Sequence, residues 1–327
     1  LKPSVSREDV LKFHPDAPSK VVHAHHAGVW TGTPTADTPA NSPQDCALLS
    51  PEALREMLDT SITELTGLRE PRDAWALLFS PDERTGIKVN TISFSAFRTH
   101  APLVMAVTEC LQEAGIPAEQ IVIFDRSNNE LEFAGYQINT GDSPGVLCRG
   151  DNDDTSGYTE GWTLMDTDIK LSQTLLSCQA LINMPILKYH NQSGITFAMK
   201  NHFGSFTDPS VFHGAQAERA IAELNALPEI RERTRLVIGD ALQISPEVIT
   251  GGWFRAVTGD SILMSFDPVA HDAVGLQMLN EVLVSEGKDS KAEYTTKLAQ
   301  LYLTRSAELG LGTNDPANMD LKEVKLG

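Results

Sequence analysis

GIKVNT (86–91), APLVMAVTECLQEAGI (101–116) and QIVIFD (120–125) follow one another closely in the chain. The first is a short apolar run. The second repeats its apolar residues at helical spacing and stops at Gly115. The third reads as a buried strand with an acid at its C-terminal end. A strand, a helix and a strand in this order imply a parallel pair joined by a right-handed crossover. Working outward, KVVHAHHAGVW (20–30) reads as a strand, and further short apolar runs lie at 144–149, 168–173, 180–187, 234–242 and 261–266. Helices are expected at 50–67, 215–226, 268–286 and 290–309. Ser50 before Pro51 and Glu52 is a start signal and Gly67 a stop. The expected fold class is α/β, with a mostly parallel central sheet flanked by helices in a single domain with insertions. That domain spans 20–327. A polar, proline-containing arm spans 1–19, and 31–43 reads as a loop.

The 327 residues suffice to bury a core, and no stretch of about 18 apolar residues offers a membrane span. A net charge of −18, scattered along the chain, repels phosphate backbones and anionic lipid. Nucleic acid is therefore not an expected partner. A small anionic molecule is compatible only where local positive charge overrides that field. Cys46, Cys110, Cys148 and Cys178 lie thirty residues or more apart, with no CxxC pair. No iron–sulfur cluster is therefore expected within one chain, although one disulfide stays open. The chain starts at Leu1, as a trimmed or leader-cleaved form would.

In sheets of this kind, ligands bind beyond the carboxyl ends of the strands. There the segment KYHNQSGITFAMKNHFGSF (188–206) collects lysines, histidines and asparagines around apolar residues. Alternation puts Lys188 and His190 on one strand face. ITFAMKNHFG (195–204) reads as a short helix closed by Gly204, packing Met199 and Phe203 inward and presenting Lys200 and Asn201. In GIKVNT, Lys88 and Asn90 share the face opposite Ile87 and Val89. Lys88, Lys188 and Lys200 would hold an anion and Asn90 and Asn201 would orient it, with His190 as general acid or base. Lys188 and Lys200 are counted with His190 among the candidate catalytic groups. Asp240 and Asp267, at two other strand ends, would position the lysines, bind ligand or bind a metal. The bland alternatives are a satisfied turn with solvated lysines, an edge-strand lysine at Lys88, and a helix cap at Asp267. A metal has weaker support: His23 and His25 share a strand face, and His190 and His202 are conceivable ligands, but no second cluster has recognisable spacing. Dinucleotide, P-loop, serine-hydrolase and zincin motifs are absent.

GIKVN, LINMPILKYHNQSGITFAMKNHFGSF, RLVIGDAL and SFDPVAHDAVG, in this order from Gly86 to Gly275, resemble the landmarks of the family called domain of unknown function 362. The most specific part is Lys-x-His followed by an apolar segment bearing Lys-Asn and Gly, here Lys188, His190, Lys200, Asn201 and Gly204. The resemblance implies export through a twin-arginine leader, hence a periplasmic or extracellular location. It also implies an association with redox chemistry, because many members append a cysteine-rich ferredoxin module that this sequence lacks. The scaffold is loosely similar to nickel-dependent lactate racemases; no residue is carried over from them. Two functional expectations result. One is an exported enzyme with acid/base or redox chemistry on a small anion. The other is a non-catalytic binding protein or a subunit of a larger assembly with a protein partner.

Overall fold

The computed structural model describes residues 17–35, 42–91, 97–153, 157–214, 216–249, 252 and 254–327. Most of the expected arm and part of the 31–43 loop lie outside these residues. Among the described residues twelve strands are formed: β1 (Ser19–His26), β2 (Thr85–Val89), β3 (Ile121–Asp125), β4 (Leu147–Gly150), β5 (Tyr158–Leu164), β6 (Thr167–Ser172), β7 (Ala180–Met184), β8 (Ile186–His190), β9 (Gly194–Thr196), β10 (Thr234–Val248), β11 (Phe254–Ser265) and β12 (Met319–Leu326). Ten of them make one sheet, ordered β12-β1-β11-β10-β7-β2-β3-β4, with β8 and β9 attached to β10 off this path. The pairs β10–β7, β7–β2, β2–β3, β3–β4 and β1–β12 are parallel. The fold is thus α/β with a mostly parallel central sheet flanked by helices. The 168–173 run, by contrast, belongs to a separate antiparallel hairpin of β5 and β6.

Side-chain alternation sorts the strands onto two cores. Ile87 and Val89 of β2, Ile121 and Ile123 of β3 and Leu236 and Ile238 of β10 face one cluster, shared with helices Pro51–Thr66 and Ala101–Glu113. Phe124 and Leu181 face the other, beneath helices Ala217–Ala226, Pro268–Ser285 and Asp289–Glu308. The Ser50 hydroxyl accepts from the Ala53 amide, and Gly67 adopts the left-handed conformation at φ 71° that ends this helix.

Three expectations need correction. The run 180–187 is not one strand. Pro185 supplies no N–H, and the chain breaks there into β7 and β8. The helix expected from Ile195 is shorter than read. Gly194–Thr196 pairs with β8 as β9, and only Ala198–Asn201 is helical, followed by a 3₁₀ turn at His202–Gly204. Gly194, at φ 77° and against the backbone of Thr295 and Ala299, makes the turn that permits this pairing. Finally, β11 runs antiparallel to both its neighbours, so its C-terminal end lies at the sheet edge opposite the parallel strand ends.

Candidate functional site

A cavity of about 350 Å³ opens at the carboxyl ends of β2, β3 and β8. Lys88, Asn90, Lys188, His190, Lys200 and Asn201 all line it, although Lys88 and Asn201 lie far apart in the chain. β2 contributes Lys88 because its neighbours Ile87 and Val89 are committed to the opposite core. β8 contributes Lys188 and His190 by the same alternation. The 198–201 turn brings Lys200 and Asn201 across the mouth.

Each lysine has a different environment. Lys88 donates to Asp125 Oδ1 at 2.9 Å and to the Val89 carbonyl at 2.7 Å, with both charged side chains 1% exposed. Asp125 Oδ2 accepts from the Thr91 amide (2.6 Å) and hydroxyl (2.9 Å), so the carboxylate is fully engaged. Gly204 allows the 3₁₀ turn to close over this pair: a β-carbon there would lie 2.7 Å from Asp125 Oδ1 and 2.8 Å from Lys88 Nζ.

Lys188 donates to Asn90 Oδ1 (2.8 Å) and the Phe97 carbonyl (3.1 Å), and its nitrogen lies 5.2 Å from the centre of the Phe254 ring. From Asn90 a chain of amides runs in one direction. Asn90 Nδ2 donates to Asn201 Oδ1 (3.0 Å), and Asn201 Nδ2 donates to Asn183 Oδ1 (2.7 Å) and the Lys88 carbonyl (3.1 Å). Asn183 Nδ2 then ends the chain on the Ala198 carbonyl (2.9 Å). Each amide's orientation is fixed by its predecessor, and buried bonds aligned this way polarise one another.

Lys200 has the third environment. Its nitrogen lies 3.3 Å from His213 Nε2 and 3.6 Å from the centre of the Phe203 ring. Among the described residues no carboxylate lies within ion-pair distance of it. Burial is the main reason that Lys188 and Lys200 both fall from an ordinary 10.5 to about 7, and for Lys200 the charge of Lys188 adds to it. His190 is held well below its usual range, first by burial and then by Lys200, His213 and Lys188. Its Nδ1 accepts from the amides of Gln192 (3.2 Å) and Ser193 (3.3 Å), which leaves the ring proton on Nε2.

These depressed lysines make stability depend on pH with a definite sign. Between about pH 7 and about pH 10.5 the unfolded chain holds protons that the folded lysines have lost. Their contribution to stability therefore rises with pH across that window and is lost as pH falls through 7. Melting curves of the wild type and of a Lys188→Met/Lys200→Met variant over this range test it. The wild-type profile should climb relative to the variant's, and parallel profiles would refute the assignment.

Asp240 and Asp267 do not join the cavity. Asp240 alternates with Leu236, Ile238 and Leu242, so it faces the core opposite to Lys88. There it accepts from the His100 amide and ring Nδ1, both at 2.7 Å, and anchors the start of the 101–113 helix. Asp267 follows β11 and is thereby carried to the far edge of the sheet. It caps the 268–285 helix through the Val269 and Ala270 amides at 2.8 and 2.9 Å. His23 hydrogen-bonds Ser261 Oγ at 2.9 Å. Among the described residues no three His, Cys, Asp or Glu side chains gather as a metal site. His202 is buried outside the cavity, against Ser205. The four cysteines are free thiols: Cys110 and Cys148 sit in one core and Cys178 in the other.

Several residues of the site escaped sequence reasoning. His213 and Arg126 line the cavity without any pattern to announce them. Asn183 lies inside an apolar strand, where a lone amide is the one available signal. Asp272 carries no signal in the sequence beyond its place shortly after the Asp267 cap. Yet its carboxylate accepts from the Ala198 and Met199 amides at 2.7 and 3.1 Å and from Tyr302 OH at 3.1 Å, seating the turn that carries Lys200.

Fold and site together define an α/β protein with a lysine- and amide-lined cavity at the carboxyl edge of its sheet. Residues 85–277, more than half of the chain, match the family described as domain of unknown function (DUF362). The chain belongs to that family. No curated protein matches significantly. Among solved structures, a protein from Thermotoga maritima is similar at 12% identity and a TM-score of 0.43, over 76% of this chain and 60% of that one. The lactate racemase apoprotein of Thermoanaerobacterium thermosaccharolyticum is similar at 8% identity and a TM-score of 0.41, over 68% of this chain and 54% of that one. The chain thus spans less than two thirds of either structure's length.

Proposed function

We propose that the cavity binds a small anionic molecule and that the protein is an enzyme working on it by acid/base chemistry. One observation carries this reading: three lysines and Arg126 line one cavity in which, among the described residues, Asp125 is the single carboxylate, in a chain of net charge −18. Such local reversal of charge is costly unless a counter-ion repays it. Acid/base chemistry is favoured over redox chemistry because the groups facing the cavity are amines, amides and imidazoles. Work outside the cytoplasm is part of the same proposal, and fractionation of cells expressing the whole gene product tests it.

Calorimetric titration with small carboxylates and inorganic phosphate tests the binding. Lys200→Met keeps the aliphatic stem and removes the charge. It should weaken anion binding by about 1.5–3 kcal/mol, the range for a hydrogen bond to a charged group, without lowering the melting temperature, because burial disfavours the charged amine that is removed. Affinity should also fall as pH rises through about 7, where Lys188 and Lys200 lose their protons. If no anion binds, or if Lys200→Met binds normally, the reading fails.

A further inference from the structure

We propose that Lys200 is an amine nucleophile that condenses with the carbonyl group of a small 2-oxo acid held in this cavity, forming an imine. The proposal rests on the anion-binding reading above and goes beyond it by naming the substrate class and the bond formed.

Two of the three lysines are committed to structure. Lys88 is tied to a carboxylate and a carbonyl, and Lys188 heads the amide chain with its hydrogens on Asn90 and Phe97. Lys200 differs in the kind of neighbour it has. His213 Nδ1 lies 2.8 Å from the Pro209 carbonyl, which can only accept, so the ring proton sits on Nδ1. His213 Nε2 therefore turns a lone pair towards Lys200 at 3.3 Å. That lone pair can accept a proton from the amine without supplying the counter-charge of a carboxylate. Burial, and then the charge of Lys188, lower Lys200 to about 7, so a neutral amine is populated near neutral pH. His190, whose Nε2 carries the ring proton, lines the same cavity, its ring centre 5.7 Å from that of His213.

The step balances. Lys200 Nζ, having passed one proton to His213, attacks the carbonyl carbon through its lone pair. A C–N bond forms and the C=O π pair moves onto oxygen, with His190 Nε2–H available as a hydrogen-bond donor to it. One of the two protons on the attacking nitrogen passes to that oxygen, giving a neutral carbinolamine. His213 Nε2–H then returns its proton to the hydroxyl, the C–O bond breaks, the oxygen leaves as water, and the nitrogen lone pair closes the C=N bond of a protonated imine. No oxidant or reductant is needed. A 2-oxo acid suits the site because its carboxylate and carbonyl are on adjacent carbons. Lys188 and Arg126 line the same cavity as Lys200, so the carboxylate has cationic partners beside the amine while the adjacent carbonyl is presented to it.

The test is reductive trapping. Wild-type protein is incubated with pyruvate or 2-oxoglutarate and sodium cyanoborohydride, then analysed by intact mass and peptide mapping. Calorimetry with the same acids, with lactate, succinate and phosphate runs in parallel. The expected result is a stoichiometric mass gain equal to the oxo acid less one oxygen atom, located on Lys200 and suppressed by excess lactate. It should be lost in Lys200→Arg, which keeps the charge but cannot form the imine; Lys200→Gln serves if the arginine variant fails to fold. If the acids bind but no adduct forms on Lys200, or if labelling is spread over other lysines and persists in the variant, the imine is refuted and the anion site stands. Binding of phosphate alone has the same meaning. If none of these anions binds, both readings fail.

Discussion

Asp125→Ala should destabilise the protein by about 3–5 kcal/mol, because it leaves the Lys88 ammonium buried without its counter-charge. The carboxylate also takes both hydrogen bonds offered by Thr91, and those donors would lose their acceptor. Denaturant unfolding at neutral pH measures the loss. A Lys88→Met/Asp125→Leu double variant removes both charges and should recover most of it, since replacing a whole buried pair by apolar groups is close to neutral. An Asp125→Ala midpoint like that of the wild type would mean that water reaches Lys88, and the description of a dry ion pair beneath Gly204 would be wrong.

Asp272→Ala is expected to cost about 3 kcal/mol or more, from two backbone amides and one phenol that lose a charged acceptor. The effect should extend beyond stability. Asp272 lies on the 268–285 helix, yet it terminates the turn that carries Lys200 and Asn201, so anion binding should be lost even where the variant remains folded. Tyr302→Phe removes only one of the three bonds and should cost about 1 kcal/mol with binding kept. If Asp272→Ala bound anions normally, the 198–201 turn would be held by its own packing.

The parts of this molecule that sequence reading reaches are those set by local periodicity. Ile87 and Val89 declare one face of β2, and Lys88 and Asn90 must take the other. Lys188 and His190 follow from the same rule. Strand direction and strand face are not local properties. Nothing in SILMSF states that its strand runs antiparallel, so the acid after it was assigned to the wrong edge of the sheet. Asp240 was assigned to the right edge but lies on the wrong face, because alternation within one strand does not say which face a second strand shares with the first. Pro185 was visible, but the departure of β8 from β7 depends on pairing with β10 and β9. His213, which lends Lys200 its partner, comes from a stretch without periodicity, so only the folded chain could reveal it.

The break at Pro185 also divides the backbone that walls the cavity into two differently paired parts. β2, β3 and β7 are laced together by consecutive parallel rungs, whereas β8 meets β10 at only two registered positions, Ile186 and Lys188, with an irregularity between them. One wall of the cavity, with Lys88 and Asn90, belongs to the tightly laced part. The other, with Lys188 and His190, belongs to the sparsely tethered one. A ligand entering the cavity therefore meets one wall fixed by a regular parallel lattice and a second whose backbone pairing is interrupted, anchored instead by Leu187 and Ile195 in the core beneath the C-terminal helices.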